Sequence, residues 1–212
     1  MTAKEIDLDL VVDLVLQIVK RLDAAAGIPV GVSNRHIHIT EEDYRVLFGG
    51  QPFQKHKDLN QTGEYASNQV VDVKGPKATL KNVRILGPFR QATQAELSKT
   101  DARLLGMEIP VRMSGDIQGS PGITLIGPAG RLDLPQGAIV AQRHVHMSPA
   151  DAARFQVQNG DKIAIRVPGE RPAIFCDTVV RVHDDFVLEL HLDTDEANTV
   201  GSGPMLGYVV KP

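Results

Sequence analysis

Arg35-His36-Ile37-His38-Ile39-Thr40-Glu41-Glu42-Asp43 and Arg143-His144-Val145-His146-Met147-Ser148-Pro149-Ala150-Asp151 are two copies of one pattern. Each reads Arg-His-apolar-His-apolar, then a hydroxyl residue, then Asp three residues later. His144 stands 108 positions after His36, about the length of a small domain. In a strand, residues i and i+2 share a face, so each His-x-His presents two imidazoles to one side and its apolar residues to the other. Thr40 and Ser148 suit a helix N-cap, and Pro149 suits the first helical position. Each copy therefore predicts a strand, a tight turn and a short helix. Neutral imidazole is the commonest metal ligand, and two on one face supply half of a tetrahedral site. A single His-x-His of this kind reads more often as a solvated strand face or as histidines satisfied by hydrogen bonds. The duplication, which takes up four of the chain's seven histidines, favours metal.

The chain has 212 residues, enough for one generous core or two small ones, and the repeat favours two. A formal net charge of −3 carries no nucleic-acid footprint. Nineteen Gly, thirteen Pro and no Trp suit many short strands joined by turns. The single Cys176 excludes an intrachain disulfide, agrees with a reducing cytosol and cannot build a cysteine-rich zinc site. Any metal must then be held by His and carboxylate, the set more often found at catalytic zinc.

Residues 1–23 form a separate amphipathic helix, with Asp9, Asp13, Gln17 and Lys20 on one polar stripe and Leu or Val over the rest. Its acidic start is wrong for a signal peptide, and it is too short and interrupted to span a membrane. It either packs on its own domain or docks into a partner's groove. Residues 24–27 read as a linker. A strand over Ile28–Ile39 leads into the first His-x-His, a helix over Thr40–Phe48 follows, and residues 51–68 read as a polar, irregular loop. Strands at Val70–Val73, Ala78–Leu80 and Val83–Leu86 precede a helix within Thr93–Leu105. Further strands over 109–134 and at 139–140 lead to the second His-x-His. After the helix Pro149–Phe155 come strands at 162–167, 173–182 and 187–192. His191, which closes the last of these, is the third ligand candidate for the second site, with Asp193 or Asn198 as support. The sum is a mainly β chain of two small related β-barrels capped by short helices.

Ser33-Asn34-Arg35-His36-Ile37-His38, Leu86-Gly87-Pro88-Phe89-Arg90, Ala95-Glu96-Leu97-Ser98-Lys99-Thr100-Asp101, Arg112-Met113-Ser114-Gly115, the second His-x-His with its flanks, and His191 to Asn198 together resemble the PduL-type phosphate propanoyltransferases. These are phosphotransacylases often packaged in bacterial microcompartments, and the resemblance runs from about Ile28 to the C-terminus. It implies two zinc ions at one shared active site, one held by His36, His38 and Glu96, the other by His144, His146 and His191. It implies Arg90 as the essential arginine, and coenzyme A contacts at Ser33, Lys57, Arg84, Leu86 and Asn198. It implies that the strand at 28–33 joins the C-terminal barrel, so that residues 24–34 and 142–212 form one discontinuous domain around a second at 35–141. It also implies a bacterial cytoplasmic enzyme inside a microcompartment, with residues 5–22 as an encapsulation peptide for shell or cargo partners. Homo-oligomerisation stays open. One departure lies in the loop, where Gln61-Thr62-Gly63-Glu64-Tyr65-Ala66 stands for the family's frequent Gln-Pro-Gly-Gln-aromatic-Ala.

The implied reaction moves a short acyl group, propanoyl or similar, between coenzyme A and phosphate. An arginine grips phosphate oxygens bidentately, and zinc can polarise the thioester carbonyl and accept a thiolate. Cys176 is the obvious acyl-enzyme nucleophile, but it sits in the apolar run Ala173-Ile174-Phe175-Cys176 without an activating neighbour and reads as a small core residue. Direct attack by phosphate is the reading preferred. A metal-dependent thioesterase or hydrolase and a non-catalytic, metal-stabilised module are the alternatives. His56 and His183 fit no motif and read as surface residues.

Overall fold

The computed structural model describes residues 27–201, 203 and 205–210, with Val12, Leu14 and Val15 from the N-terminal segment. Those three are helical and exposed. The rest of the amphipathic helix expected over residues 1–23, and its reading as an encapsulation peptide, lie outside the described residues.

From the N-terminal side come β1 (Ile28–Ser33), β2 (His36–His38), α1 (Glu41–Phe48), β3 (Lys55–Asp58), β4 (Tyr65–Lys74), β5 (Thr79–Gly87), β6 (Gln94–Leu97) and α2 (Lys99–Leu105). Then follow β7 (Val111–Arg112), β8 (Ile123–Ile126), β9 (Arg131–Leu134), β10 (Ala138–Ala141), β11 (His144–Met147) and α3 (Pro149–Phe155). The chain closes with β12 (Lys162–Val167), β13 (Ala173–Val182), β14 (Glu189–Asp193), α4 (Thr194–Val200) and β15 (Leu206–Val210).

Six strands close a barrel in the order β1-β14-β11-β13-β12-β15. The other nine form a sheet ordered β7-β10-β6-β2-β5-β4-β8-β9, with β3 paired to β4, curled into a half-barrel. The mainly β class with short capping helices is as expected, but the second sheet stays open, since β7 and β9 at its two ends do not pair.

The two sheets repeat one design around the His-x-His strands. β2 lies between a parallel neighbour, β5, and an antiparallel one, β6; β11 lies in the same way between β13 and β14. In register, His36 stands opposite Glu96 and His144 opposite His191. The strand leading into each copy belongs to the other sheet. β1 pairs with β14, placing Gly31 beside His191, while β10 pairs with β6, placing Ile139 beside Glu96. The chain thus crosses between sheets at Asn34-Arg35 and at Gln142-Arg143, immediately before each His-x-His. This crossing divides the single strand expected over 28–39 into β1 and β2.

Burial fixes which way these strands face. Ile37 and Ile39 are fully buried in the core of the open sheet with Leu47, Ile85 and Leu125. Val145 and Met147 are fully buried in the barrel core with Ile165, Leu190 and Leu192. Full burial of such a side chain is worth roughly 1.5–3 kcal/mol, and a one-residue slip would turn each strand's whole set over. The apolar residues therefore anchor the histidines on the opposite face.

The helices begin where capping residues stand. Thr40 Oγ1 accepts from the Asp43 amide, and Ser98, Ser148 and Asp193 each form a reciprocal capping box with Asp101, Asp151 and Glu196. Two of these boxes receive the arginine that precedes a His-x-His. Arg35 reaches Asp101 with Nη2 2.7 Å from Oδ1, and Arg143 reaches Glu196 with Nη1 2.6 Å from Oε1. The segment expected as irregular holds β3 and the start of β4. β3 is exposed along its whole length, so no apolar alternation marks it.

Candidate active site

Both His-x-His strands and both antiparallel neighbours face one cavity of about 780 Å³. It is lined by His36, His38, Glu96, His144, His146 and His191, by Arg90, and by Ser33, Lys57, Arg84 and Leu86. Asn198 is exposed on α4 and does not line it. Cys176 is exposed as well, and outside the lining. The core position expected for it is wrong because strand alternation turns Phe175 inward and Ile174 and Cys176 outward. His56 and His183 are exposed, with His183 at the cavity's edge.

In the first cluster, the His36 and His38 Nε2 atoms are 3.2 Å apart. Glu96 places Oε2 3.5 Å from His36 Nε2 and Oε1 3.4 Å from His38 Nε2. Ligand atoms about 2.0–2.1 Å from a tetrahedral ion lie about 3.4 Å from one another, so the trio could hold a metal ion. The tautomer also fits. His36 Nδ1 donates to the Asn34 carbonyl at 2.8 Å, a group that only accepts, which leaves Nε2 with its lone pair directed inward. Glu96 is neutral to no one here: Gln94 Nε2 donates to Oε1 at 2.7 Å and Ser114 Oγ at 2.6 Å. Burial works to raise the Glu96 carboxyl, but His36, His38 and Ser114 outweigh it and hold it well below the usual carboxylate range. His38 is lowered, chiefly by burial.

The second cluster has the same plan. His144 Nδ1 donates to the Gln142 carbonyl at 2.9 Å, and the rings of His144, His146 and His191 lie with centroids 4.7 to 4.9 Å apart. Burial first, then His191, pushes His144 down to about 4; burial, then His144 and His191, pushes His146 down to about 2. Each is a neutral imidazole near pH 7, the form that binds metal. Each trio keeps its candidate ligand atoms within 4.8 Å of one another.

Arg90 lies beside these clusters. Its Nη2 is 2.6 Å from Glu64 Oε1, and its Nη1 is 3.5 Å from Ser114 Oγ. Several lining residues carry no motif of their own. Arg181, opposite His146 on β13, brings Nη1 3.4 Å from His146 Nε2. Glu189 brings Oε2 2.9 Å from His191 Nε2, without the alignment of a hydrogen bond, and accepts from Asn60 and Gln61. Its carboxylate folds over Gly31, where a Cβ would meet Oε1 at 2.6 Å. Gln94 and Glu189 each stand two residues before a ligand on the same strand, and that spacing is the signal that finds them. Arg181 has no such signal, because only register brings it to His146.

The phosphate propanoyltransferase family model matches residues 29–203. A phosphate propanoyltransferase of Citrobacter koseri is 55% identical over 82% of this chain and 84% of its own length. One from Salmonella typhimurium is 52% identical over the same shares, and one from Shewanella putrefaciens 47% identical over 92% of each chain. The matched span contains all six candidate metal ligands and Arg90, and so the chain belongs to the phosphate propanoyltransferase family and is an acyltransferase.

Proposed function

We propose that this enzyme transfers a short acyl group, propanoyl or similar, between coenzyme A and inorganic phosphate at a two-zinc site, with phosphate attacking the thioester directly. The carrying observation is that two three-ligand clusters and Arg90 open onto one cavity. His36, His38 and Glu96 would hold one ion, and His144, His146 and His191 the other. Zinc bound there would polarise the thioester carbonyl and favour departure of a thiolate.

The protein's own groups do the rest. Arg90 offers two N–H donors to phosphate and so sets its approach to the carbonyl. Ser114, bonded to Glu96 and near Arg90, links the ligand cluster to the phosphate cation. Ser33, Lys57, Arg84 and Leu86 line the same cavity and would receive coenzyme A, and the family resemblance adds Asn198, exposed on α4; Arg84 Nη1 is tied to the Ser67 carbonyl, which fixes its direction. A phosphate oxygen forms a bond to the acyl carbon as the C–S bond breaks, giving acyl phosphate and free coenzyme A. The phosphate's proton goes to the sulfur. Cys176, exposed outside the lining, takes no part.

The division proposed for the chain is a barrel of residues 24–34 and 142–212 around a sheet domain at 35–141. A microcompartment setting, with the N-terminal segment meeting shell or cargo proteins, is proposed from the family resemblance. No helix among the described residues is long and apolar enough to cross a membrane.

The test is release of free coenzyme A from acetyl-, propanoyl- and butanoyl-CoA by native, chelator-stripped and zinc-restored protein. Release that needs phosphate and metal and yields acyl phosphate supports the proposal. Phosphate-independent release points to a thioesterase, and no release from metal-loaded protein to a non-catalytic module.

A further inference from the structure

Arg90, the cation assigned above to phosphate, already carries an anion. Its Nη2 lies 2.6 Å from Glu64 Oε1, while its other side-chain hydrogen bond among the described residues is the long 3.5 Å one from Nη1 to Ser114 Oγ. We propose that the Glu64 carboxylate is a built-in competitor for phosphate at Arg90, so that incoming phosphate must displace it and Glu64 sets how much phosphate the enzyme requires. This rests on the phosphotransacylase reading and deepens it by adding a residue that tunes one substrate.

The backbone under Glu64 is pinned. The Leu59 amide donates to the Glu64 carbonyl at 3.0 Å and the Glu64 amide to the Gln61 carbonyl at 3.1 Å, closing the turn between β3 and β4. Gln61 fastens that turn to the barrel, donating to the Val187 carbonyl at 3.0 Å and accepting from the Val187 amide at 3.2 Å. Asn60 Nδ2 adds a 2.6 Å bond to Glu189. The turn cannot carry Glu64 away without breaking these bonds, so only side-chain rotation frees Arg90.

The pair is also open to exchange. Its side chains are 35 and 30% exposed, so phosphate can reach the guanidinium, and water screens an ion pair of this exposure enough to make it weak. A displaced carboxylate would stay nearby as a like charge to phosphate, adding to the cost of anion binding. Arg181 lines the same cavity and feels the Glu64 charge, so removing that charge would make the surroundings of Arg90 more positive for an incoming phosphate.

Glu64→Gln keeps the side chain's length and can still accept a hydrogen bond while deleting the charge. Its KM for phosphate is expected to fall roughly three- to tenfold while its KM for acyl-CoA stays within about twofold. Sulfate, an anion of the same shape, should inhibit the variant more strongly by a similar factor. An unchanged or higher KM for phosphate overturns the proposal and makes Glu64 a group that merely holds Arg90 in place. Calorimetric titration of metal-loaded protein with inorganic phosphate, without acyl-CoA, separates this failure from that of the reaction itself. Equal phosphate affinity in the two proteins removes the role of Glu64, whereas release of coenzyme A without phosphate removes the proposed reaction.

Discussion

Two backbone carbonyls, those of Asn34 and Gln142, decide which nitrogen of His36 and His144 carries a proton, and so which can bind metal. The histidines were legible in the sequence because the pattern occurs twice. The third ligands were less so: His191 was readable as a candidate at a strand end, whereas Glu96 reads locally as an ordinary carboxylate of a helix or its cap. Only pairing of β6 with β2 puts Glu96 opposite His36. At this scale charge and protonation make two predictions. Arg90→Lys should raise the KM for phosphate by about tenfold, because an ammonium lacks the planar fork that grips two oxygens, while the KM for acyl-CoA changes little. Steady-state kinetics with each substrate varied in turn would read this directly. The second concerns acid. His144 sits at about 4 and His146 at about 2 in the folded chain, against 6.5 when exposed. Below about pH 6.5 the unfolded metal-free chain takes up protons that the folded one refuses. Stability is then full above about 6.5 and is lost as pH falls toward 4. Melting curves of chelator-treated protein between pH 8 and 5 should show Tm declining on the acid side, and a flat profile would refute the assignment of neutral imidazoles.

Elements here are short and rely on their ends. α2, α3 and α4 have seven residues each, too few to be stable alone, so a capping box supports each first turn. These boundaries were legible because Ser148-Pro149 and Ser98 to Asp101 carry the local chemistry of helix starts. β3 was not, because an edge strand without apolar alternation looks like a loop until its partner is known. Ser148→Ala should cost about 1 kcal/mol, or about 3 °C in Tm for a chain of this size, with metal content unchanged. The arginine ahead of each His-x-His does more than cap. Arg35 neutralises Asp101, whose side chain is 1% exposed, and thereby joins the strand bearing His36 to the helix that follows Glu96. Arg35→Ala would leave a buried carboxylate without its charge partner, and should weaken metal retention at the first cluster more than at the second. Equilibrium dialysis of the variant against a graded chelator would compare the two sites.

For the whole molecule, the repeat announced two related β units, and the described residues hold two hydrophobic cores, one under the open sheet and one in the closed barrel. What it could not announce is that one sheet stays open, since closure depends on whether end strands meet and β7 is two residues long. Ligands drawn from strands distant in sequence should tie metal to global stability. Stripping the metals is expected to lower Tm by about 5–10 °C per site, from about 2.7 kcal/mol at free metal one hundredfold above Kd. Intact protein should hold two zinc ions per chain by mass spectrometry, and the double variant His36→Ala, His38→Ala should hold one. A double variant that still held two would refute the proposed ligand set.

The covalent links between the two sheets are Asn34-Arg35 and Gln142-Arg143, and each is followed at once by a His-x-His. Three of these residues, Asn34, Arg35 and Gln142, line the cavity. Both joints therefore stand directly beside the candidate ligand trios. The two sheets are tied a second time through side chains, where Asn60 and Gln61 bond Glu189, so backbone joints on one side and hydrogen bonds on the other together fix how the two trios face one another.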